Sequence, residues 1–426
     1  IIRKVDDMEQ GTAKLDMLHG SIWDKILRFA LPVAATAVLG QLFNASDVAV
    51  VGNFASGSRT AAVAAVGANG PIINLILGLF IGIALGTTVV IANAIGSDDR
   101  EGVQNAVHTS MVMAVVGGVI VAIIGELMAG GLLTLLKVPE DVYPLSLLYL
   151  RIYFLGMPAI LLYNFEAAIF RSIGETKVPL IALASSGVLN VLLNLVFVLG
   201  FDMTVNGVAI ATVLSNVVSS IILYRRLRKT DQYIHVDPKR FAIHWGSFRQ
   251  ILRIGLPAGI QSAVFAVSNI VIQSAINSLG TIVMAASSAA LNIEIIAYYV
   301  MNSFSQACAT FVGQNYGAGQ VKRCRKILGL CILEDAIATA SAIFIILFAG
   351  KFVLALFNPD PQVIDIGYSR LLIVFTAYVF SMLYEVMSGY LRGFGISLVP
   401  ALLVILGVCG VRIFWIFCIF PLTRAF

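Results

Sequence analysis

The stretch ILRFALP at residues 26–32 returns as ILRIGLP at residues 251–257, an offset of 225 that also carries Asn44 onto Asn269. Farther along the offset settles at 221. Tyr163 then falls on Tyr384, Phe170-Arg171 on Leu391-Arg392, Gly174 on Gly395 and Pro179 on Pro400. Gly96 falls on Gly317, each shortly before a charged loop, and Val142 on Val363, each after a loop containing Pro. Single matches arise readily by chance in apolar sequence. Ordered matches held at one spacing through several segments do not, so the chain is an internal duplication.

What is duplicated is strongly apolar. Of 426 residues 59% are hydrophobic and 12% charged, and the mean hydropathy is +0.93. A soluble globular domain is about 45–50% apolar and about 25% charged. This composition excludes soluble, disordered, fibrous and nucleic-acid-binding classes. The apolar runs are continuous, which excludes an alternating outer-membrane barrel. Each spanning helix needs about 20 apolar residues, and the runs place helices near 25–52, 61–96, 101–137, 142–172, 176–200 and 206–227. A second set lies near 247–277, 282–316, 322–357, 362–393 and 397–421. The expected class is an all-α polytopic membrane protein.

Lys and Arg set the orientation. One side carries Arg100, Arg171, Lys177, the segment RRLRKTDQYIHVDPKR (225–240), Lys322, Arg323, Arg325, Lys326 and Arg392. The other carries only Arg59, Lys137, Lys351 and Arg424. The first side is expected to be cytoplasmic, with the N-terminus, and the net charge of +5 reflects this asymmetry. Residues 1–24 read as a polar cytoplasmic lead-in that includes Lys4, Asp6, Asp7 and Lys14, with no signal-peptide core. Residues 25–227 read as a first six-helix lobe, 228–246 as a basic, solvated cytoplasmic linker, and 247–426 as a second lobe. Six spans return the chain to its starting side, so the repeats share one topology and are related by an axis along the membrane normal. Phe426 corresponds to Val205, just before the sixth helix of the first half, so the twelfth helix is expected to be missing from this chain.

Catalytic signatures are absent. Cys308, Cys324, Cys331, Cys409 and Cys418 form no CxxC pair, and His19, His108, His235 and His244 are scattered. No zinc-hydrolase, serine-hydrolase or phosphate-loop motif occurs, so the sequence reads as no enzyme and carries no ATPase of its own. Attention falls instead on polar residues inside spans, which are costly there and usually functional. Asp47 lies in the second half of the first helix, with Asn44 at i−3. It is either a buried functional acid or a wet residue near the outer interface. Asn190 and Asn194 form a stripe on the fifth helix, Thr212 and Asn216 one on the sixth, and Asn164 follows Tyr163 on the fourth. In the second half Ser262, Asn269, Gln273 and Asn277 make a stripe, while Glu385 and Arg412 are expected to pair with each other as a structural ion pair or a switch. Glu166, Glu294, Glu334 and Asp335 also fall within runs, the last two adjacent and so expected to face different sides. Tyr298, Tyr299 and Met301 are expected either to line a cavity or to fill lipid-facing space.

Three motifs carry a family resemblance. The first helix reads LP, then eight residues, then QLFNASDVAVVG with Gln41 and Asp47. The junction FRSIGETKVPL has the second-half copy LRGFGISLVPALL. The eighth helix ends in FVGQNYGAGQ. From about residue 21 onward the chain resembles the multidrug and toxic compound extrusion (MATE) family, bacterial type. The resemblance implies a twelve-helix, two-lobed secondary exporter of organic cations and amphipathic drugs, conferring antibiotic resistance. Coupling would be to a proton or sodium ion, without a cofactor and with no metal beyond a possible sodium ion at Asp47. It also implies a first-lobe cation or proton site, with Asp47, Asn190 and Thr212 matching the family's positions and Asn194 standing where many members carry a second acid. A sodium-site Glu of some members is Phe265 here. The expected setting is a monomer in the lipid bilayer of a bacterial inner membrane, handling small-molecule drugs or metabolites and no nucleic acid. A lipid-linked precursor flippase of the wider superfamily is the alternative, and it would require a more cationic cavity.

Overall fold

The computed structural model describes residues 15–55 and 58–423. Lys4, Asp6, Asp7 and Lys14 of the lead-in, together with Arg424 and Phe426, lie outside the described residues. The first lobe comprises α1 (Trp23–Phe54), α2 (Arg59–Gly96), α3 (Arg100–Leu135), α4 (Tyr143–Leu155), α5 (Met157–Ser172), α6 (Lys177–Gly200) and α7 (Val205–Lys229). The second comprises α8 (Trp245–Asn277), α9 (Thr281–Gly317), α10 (Val321–Phe357), α11 (Pro361–Gly393) and α12 (Leu398–Leu422). Among the described residues ten helices are each long and apolar enough to cross a membrane. The fourth span, read from sequence as one helix over 142–172, is the bent pair α4 and α5, which turns by 51°. The cause is local. Pro158 lacks the N–H that would continue α4, and Gly156 lies so close to Val213 that a Cβ there would approach its Cγ2 to 2.3 Å. The last turns of α6 and two segments of α12 (Val404–Gly410 and Trp415–Ile419) widen to π-type winding.

The duplication is visible in backbone geometry. Gly174 and Gly395, 221 residues apart, both occupy left-handed φ, at 85° and 80°, and each turns the chain between two spans where a side chain would be strained. At the molecular axis α2 meets its own repeat, α9. A Cβ on Gly96 would lie 1.9 Å from the carbonyl oxygen of Gln314, and one on Gly317 would lie 2.1 Å from that of Asn93. Asn93 corresponds to Gln314 at the same offset as Gly96 to Gly317, so the contact is reciprocal, as two-fold symmetry requires. Both helices run toward the basic loops, so the axis lies along them and the lobes are not inverted.

A glycine seam joins the lobes. Gly82 and Gly86 of α2 abut Gly259 and Gly255 of α8 so closely that an added Cβ on Gly82 would sit 2.2 Å from the Gly259 nitrogen. Without a hydrophobic drive between helices in lipid, such backbone approach supplies the packing. Between α1 and α9, Phe29 meets Phe311 edge-on at 5.9 Å. Polar closures gather at the basic end. Gln314 donates to the Ser172 carbonyl at 2.7 Å, Asn315 to the Met17 carbonyl at 3.1 Å and Asn93 to the Gly393 carbonyl at 3.4 Å.

The basic linker is not simply solvated, contrary to the sequence expectation. Ile234 and Val236 are fully buried. Gln104 on α3 donates to the carbonyls of Tyr233 and His235, and the Arg100 guanidinium covers the Tyr233 ring at 4.7 Å. The Asp237 N–H donates to His108 Nε2 at 3.1 Å. Two apolar residues spaced i, i+2 among the charges let the strap sit down on the first lobe.

Candidate cation site

The site begins with a close approach of α1 and α6. The Phe43 ring lies where a Cβ of Gly187 would be, at 1.8 Å. Because residue 187 has no side chain, α6 draws near enough for its next turns to reach Asp47, one turn beyond Phe43. Asn190 and Asn194, one turn apart, then stack on the facing stripe. Asn194 Nδ2 donates to Asp47 Oδ1 at 2.6 Å and to Asn190 Oδ1 at 3.3 Å. Asn190 Nδ2 donates to Thr212 Oγ1 at 3.2 Å, and Thr212 Oγ1 donates to Asp47 Oδ2 at 2.9 Å. Four side chains from three helices thus close a ring.

Asp47 is 3% exposed, which decides against a wet acid at the interface. A carboxylate so placed carries a large desolvation cost unless its charge is answered, and its hydrogen-bonded partners here are neutral. Asn194 Oδ1 is buried and accepts nothing. Carboxylate, amide and hydroxyl oxygens form a hard-donor set, suited to a proton or an alkali cation. Tyr149 and Tyr153, stacked at 6.2 Å between centroids, lie within electrostatic range of Asp47. Sequence reasoning missed them, although their i, i+4 spacing marks one face of α4.

Other expected members stand apart. Asn44 is exposed on α1 and makes none of the ring's hydrogen bonds. Asn164 donates to its own helix, to the Ile160 carbonyl at 2.8 Å. Asn216 does likewise to the Thr212 carbonyl at 2.9 Å.

The expected Glu385–Arg412 pair is replaced by two separate arrangements. Glu385 is buried on α11 among Tyr298, Tyr384 and Ser305, with Arg392 as its cationic neighbour. Two helical turns on the same face bring Arg392 to it, and Arg392 also donates to Gln261 Oε1 at 2.8 Å. Arg412 donates instead to Asn269 Oδ1 at 3.3 Å and covers the Phe265 ring at 4.9 Å. Gln273 bonds Asn277 at 2.8 Å in an exposed position. Glu294 receives Arg370 at 3.2 Å and the Tyr378 hydroxyl at 3.3 Å, and Arg370 had no sequence signal beyond its charge within a span. Met301 of α9 is buried, at 1% exposure. Tyr299 donates across the lobes to Gln41 Oε1 at 3.5 Å. Among the described residues no group of three or more His, Cys, Asp or Glu is arranged to chelate a metal.

Known proteins agree with this architecture. "Probable multidrug resistance protein YoeA" of Bacillus subtilis is 26% identical over 92% of this chain and 86% of its own length. A crystal structure of a MATE protein in complex with MaD3S superposes with a TM-score of 0.86 at 23% identity, covering 96% of this chain and 91% of that one. A MOP superfamily transporter from Pyrococcus furiosus, described as having a binding pocket of reverse polarity, superposes at 0.87 with 24% identity over 95% and 91%. The MatE family model matches twice, over residues 32–196 and 257–417, once in each lobe. Duplicated lobes, parallel repeats and this double match together place the chain in the MatE family of multidrug and toxic compound extrusion transporters.

Proposed function

We propose that the protein is a secondary active exporter that expels organic cations or amphipathic drugs in exchange for a proton or sodium ion held at Asp47. A single observation carries this: an almost fully buried carboxylate whose hydrogen-bonded partners are neutral, ringed by Asn190, Asn194 and Thr212. A ligand moves a conformational equilibrium only by its differential affinity for the two states. An ion that neutralises Asp47 removes a desolvation cost from whichever state buries the ring more fully, and so biases the lobes. The lobes rock about the α2–α8 glycine seam. The bonds at the basic end close one mouth of the cleft, and breaking them opens it to the other side. The protein then works as a monomer in a bacterial inner membrane with its N-terminus in the cytoplasm, without a cofactor.

Flipping of a lipid-linked anionic precursor is the second reading. It is favoured by Arg171 and Arg392, repeat-equivalent arginines that turn inward instead of lying in cytoplasmic loops. Arg171 donates to Gln306 Oε1 of the second lobe at 3.4 Å, and Arg392 is 6% exposed. Against it, Arg392 already faces Glu385. Wild-type expression separates the readings, since a flippase of a lipid-linked precursor confers no drug resistance, and Asp47→Asn then tests the site. Drug resistance in an efflux-deficient strain is lost at wild-type expression if Asp47 holds the coupling ion, and is retained if it does not.

A further inference from the structure

Glu334 and Asp335, neighbours on α10, are expected from sequence to face different sides, yet both are buried, at 2% and 0% exposure. The outer face of α10 is lipid-like, with Leu333, Ile337, Phe344 and Phe348 exposed. Its narrow inner arc lies against α9 and α11 and touches α1, and both acids fall within that arc. Neither oxygen of Glu334 has a hydrogen-bond partner, nor has Asp335 Oδ2, while Asp335 Oδ1 accepts from Thr339 at 2.8 Å. Buried polar groups are ordinarily satisfied, so three bare carboxylate oxygens at one level of the second lobe call for a role.

Their neighbours form a sequence in space. Asp24, in the first turn of α1 and half exposed at the basic end, lies within electrostatic reach of Glu334 where α10 touches α1. Glu385 lies within electrostatic reach of Asp335 across the contact of α10 with α11. Cys331 and Cys308 lie beside the pair from α10 and α9, Arg28 answers Asp24 at 3.5 Å, and Arg392 with Tyr298 and Tyr384 surrounds Glu385. The four acids do not share one coordination sphere, for no metal-holding cluster exists among the described residues.

We propose that Asp24, Glu334, Asp335 and Glu385 form a proton path through the second lobe, connecting its buried acid to the basic, cytoplasmic end. In each step a proton leaves one carboxyl as the next carboxylate takes it up. Asp24 finally releases it to water, so each group returns to its starting form. The path has no copy in the first lobe, where Met113 and Ala114 occupy the corresponding positions. It rests on the antiport reading above, and it adds an ion route separate from Asp47.

The test uses the full chain in proteoliposomes, with Glu334→Gln and Asp335→Asn compared with Asp47→Asn. In both α10 variants drug uptake driven by an imposed proton gradient falls at least about tenfold, while gradient-free drug counterflow stays within about twofold of wild type, since exchange needs no net proton movement. Unchanged gradient-driven uptake in both variants overturns the path even where Asp47→Asn is inactive, whereas a fully active Asp47→Asn overturns the antiport site instead. A second measurement needs no variant. Dicyclohexylcarbodiimide, which modifies protonated carboxyls in apolar surroundings, labels Glu334 or Asp335 in the wild-type protein by peptide mapping. Absence of label at both overturns the path.

Discussion

Asn194 donates an N–H to Asp47 across 2.6 Å, although 147 residues separate them. The bond makes α1 and α6 partners around one charge and makes the Asn194 amide a direct contact of the carboxylate. Hydrogen bonds to a charged group contribute about 1.5–3 kcal/mol. Asn194→Ala and Thr212→Val should therefore each shift coupling-ion affinity by about ten- to a hundredfold, tightening it for a proton, because the bare carboxylate loses a donor, and weakening it for a sodium ion, because the ring loses an oxygen. The half-saturating ion concentration for drug transport in vesicles measures this, and wild-type values in both variants would reduce the ring to packing.

The reciprocal approach of Gly96 and Gly317 leaves no room for side chains at the basic end. Gly96→Leu should hold the lobes apart there and populate the state open to the cytoplasm. Cysteine pairs placed across α2 and α9 near that end should cross-link less readily than in the parent, and transport should drop. Equal cross-linking would show that the seam yields without moving the lobes.

Glu294 and Arg370 form a partly buried pair reinforced by the Tyr378 hydroxyl. Each single change, Glu294→Gln or Arg370→Gln, leaves one member unanswered and should cost about 1–3 kcal/mol. The double variant should recover part of that loss in a cycle of thermal-unfolding midpoints in detergent. Strict additivity would mean that the pair is uncoupled.

Orientation has a direct readout. In a cysteine-free background, Lys239→Cys in the strap should react with an impermeant maleimide only after cells are opened. Glu140→Cys, between α3 and α4, should react from outside. The reverse pattern would invert the topology.

Much of the fold was legible because lipid imposes simple rules. Apolar length gave the spans, and repeated glycines and prolines gave the duplication. The bend at Gly156 was only half legible: Pro158 marks it in the sequence, but it also depends on Val213 packing against a backbone 57 residues away. The ring around Asp47 was partly legible, because Asn190, Asn194 and Thr212 lie on stripes that a helix presents together. Asn44 and Asn164 share those periodicities, yet one is exposed and the other bonds its own helix. Periodicity names a face without saying what the face meets. The same gap explains Glu385 and Arg412, whose partners are chosen by helix rotation: Arg392 is delivered by its own helix, and Asn269 by α8. Arg171 and Arg392 read as loop charges because a buried guanidinium at a helix end has the sequence appearance of a cytoplasmic flank.

The central claim is that ion occupancy at Asp47 drives export, and purified protein in sealed vesicles tests it most directly. Wild-type protein should accumulate a fluorescent organic cation when a proton or sodium gradient is imposed, and dissipate that gradient as it does so. Asp47→Asn should bind the same cation within about twofold of wild-type affinity yet neither accumulate it nor dissipate the gradient. Gradient-driven accumulation by Asp47→Asn at the wild-type rate would contradict the account.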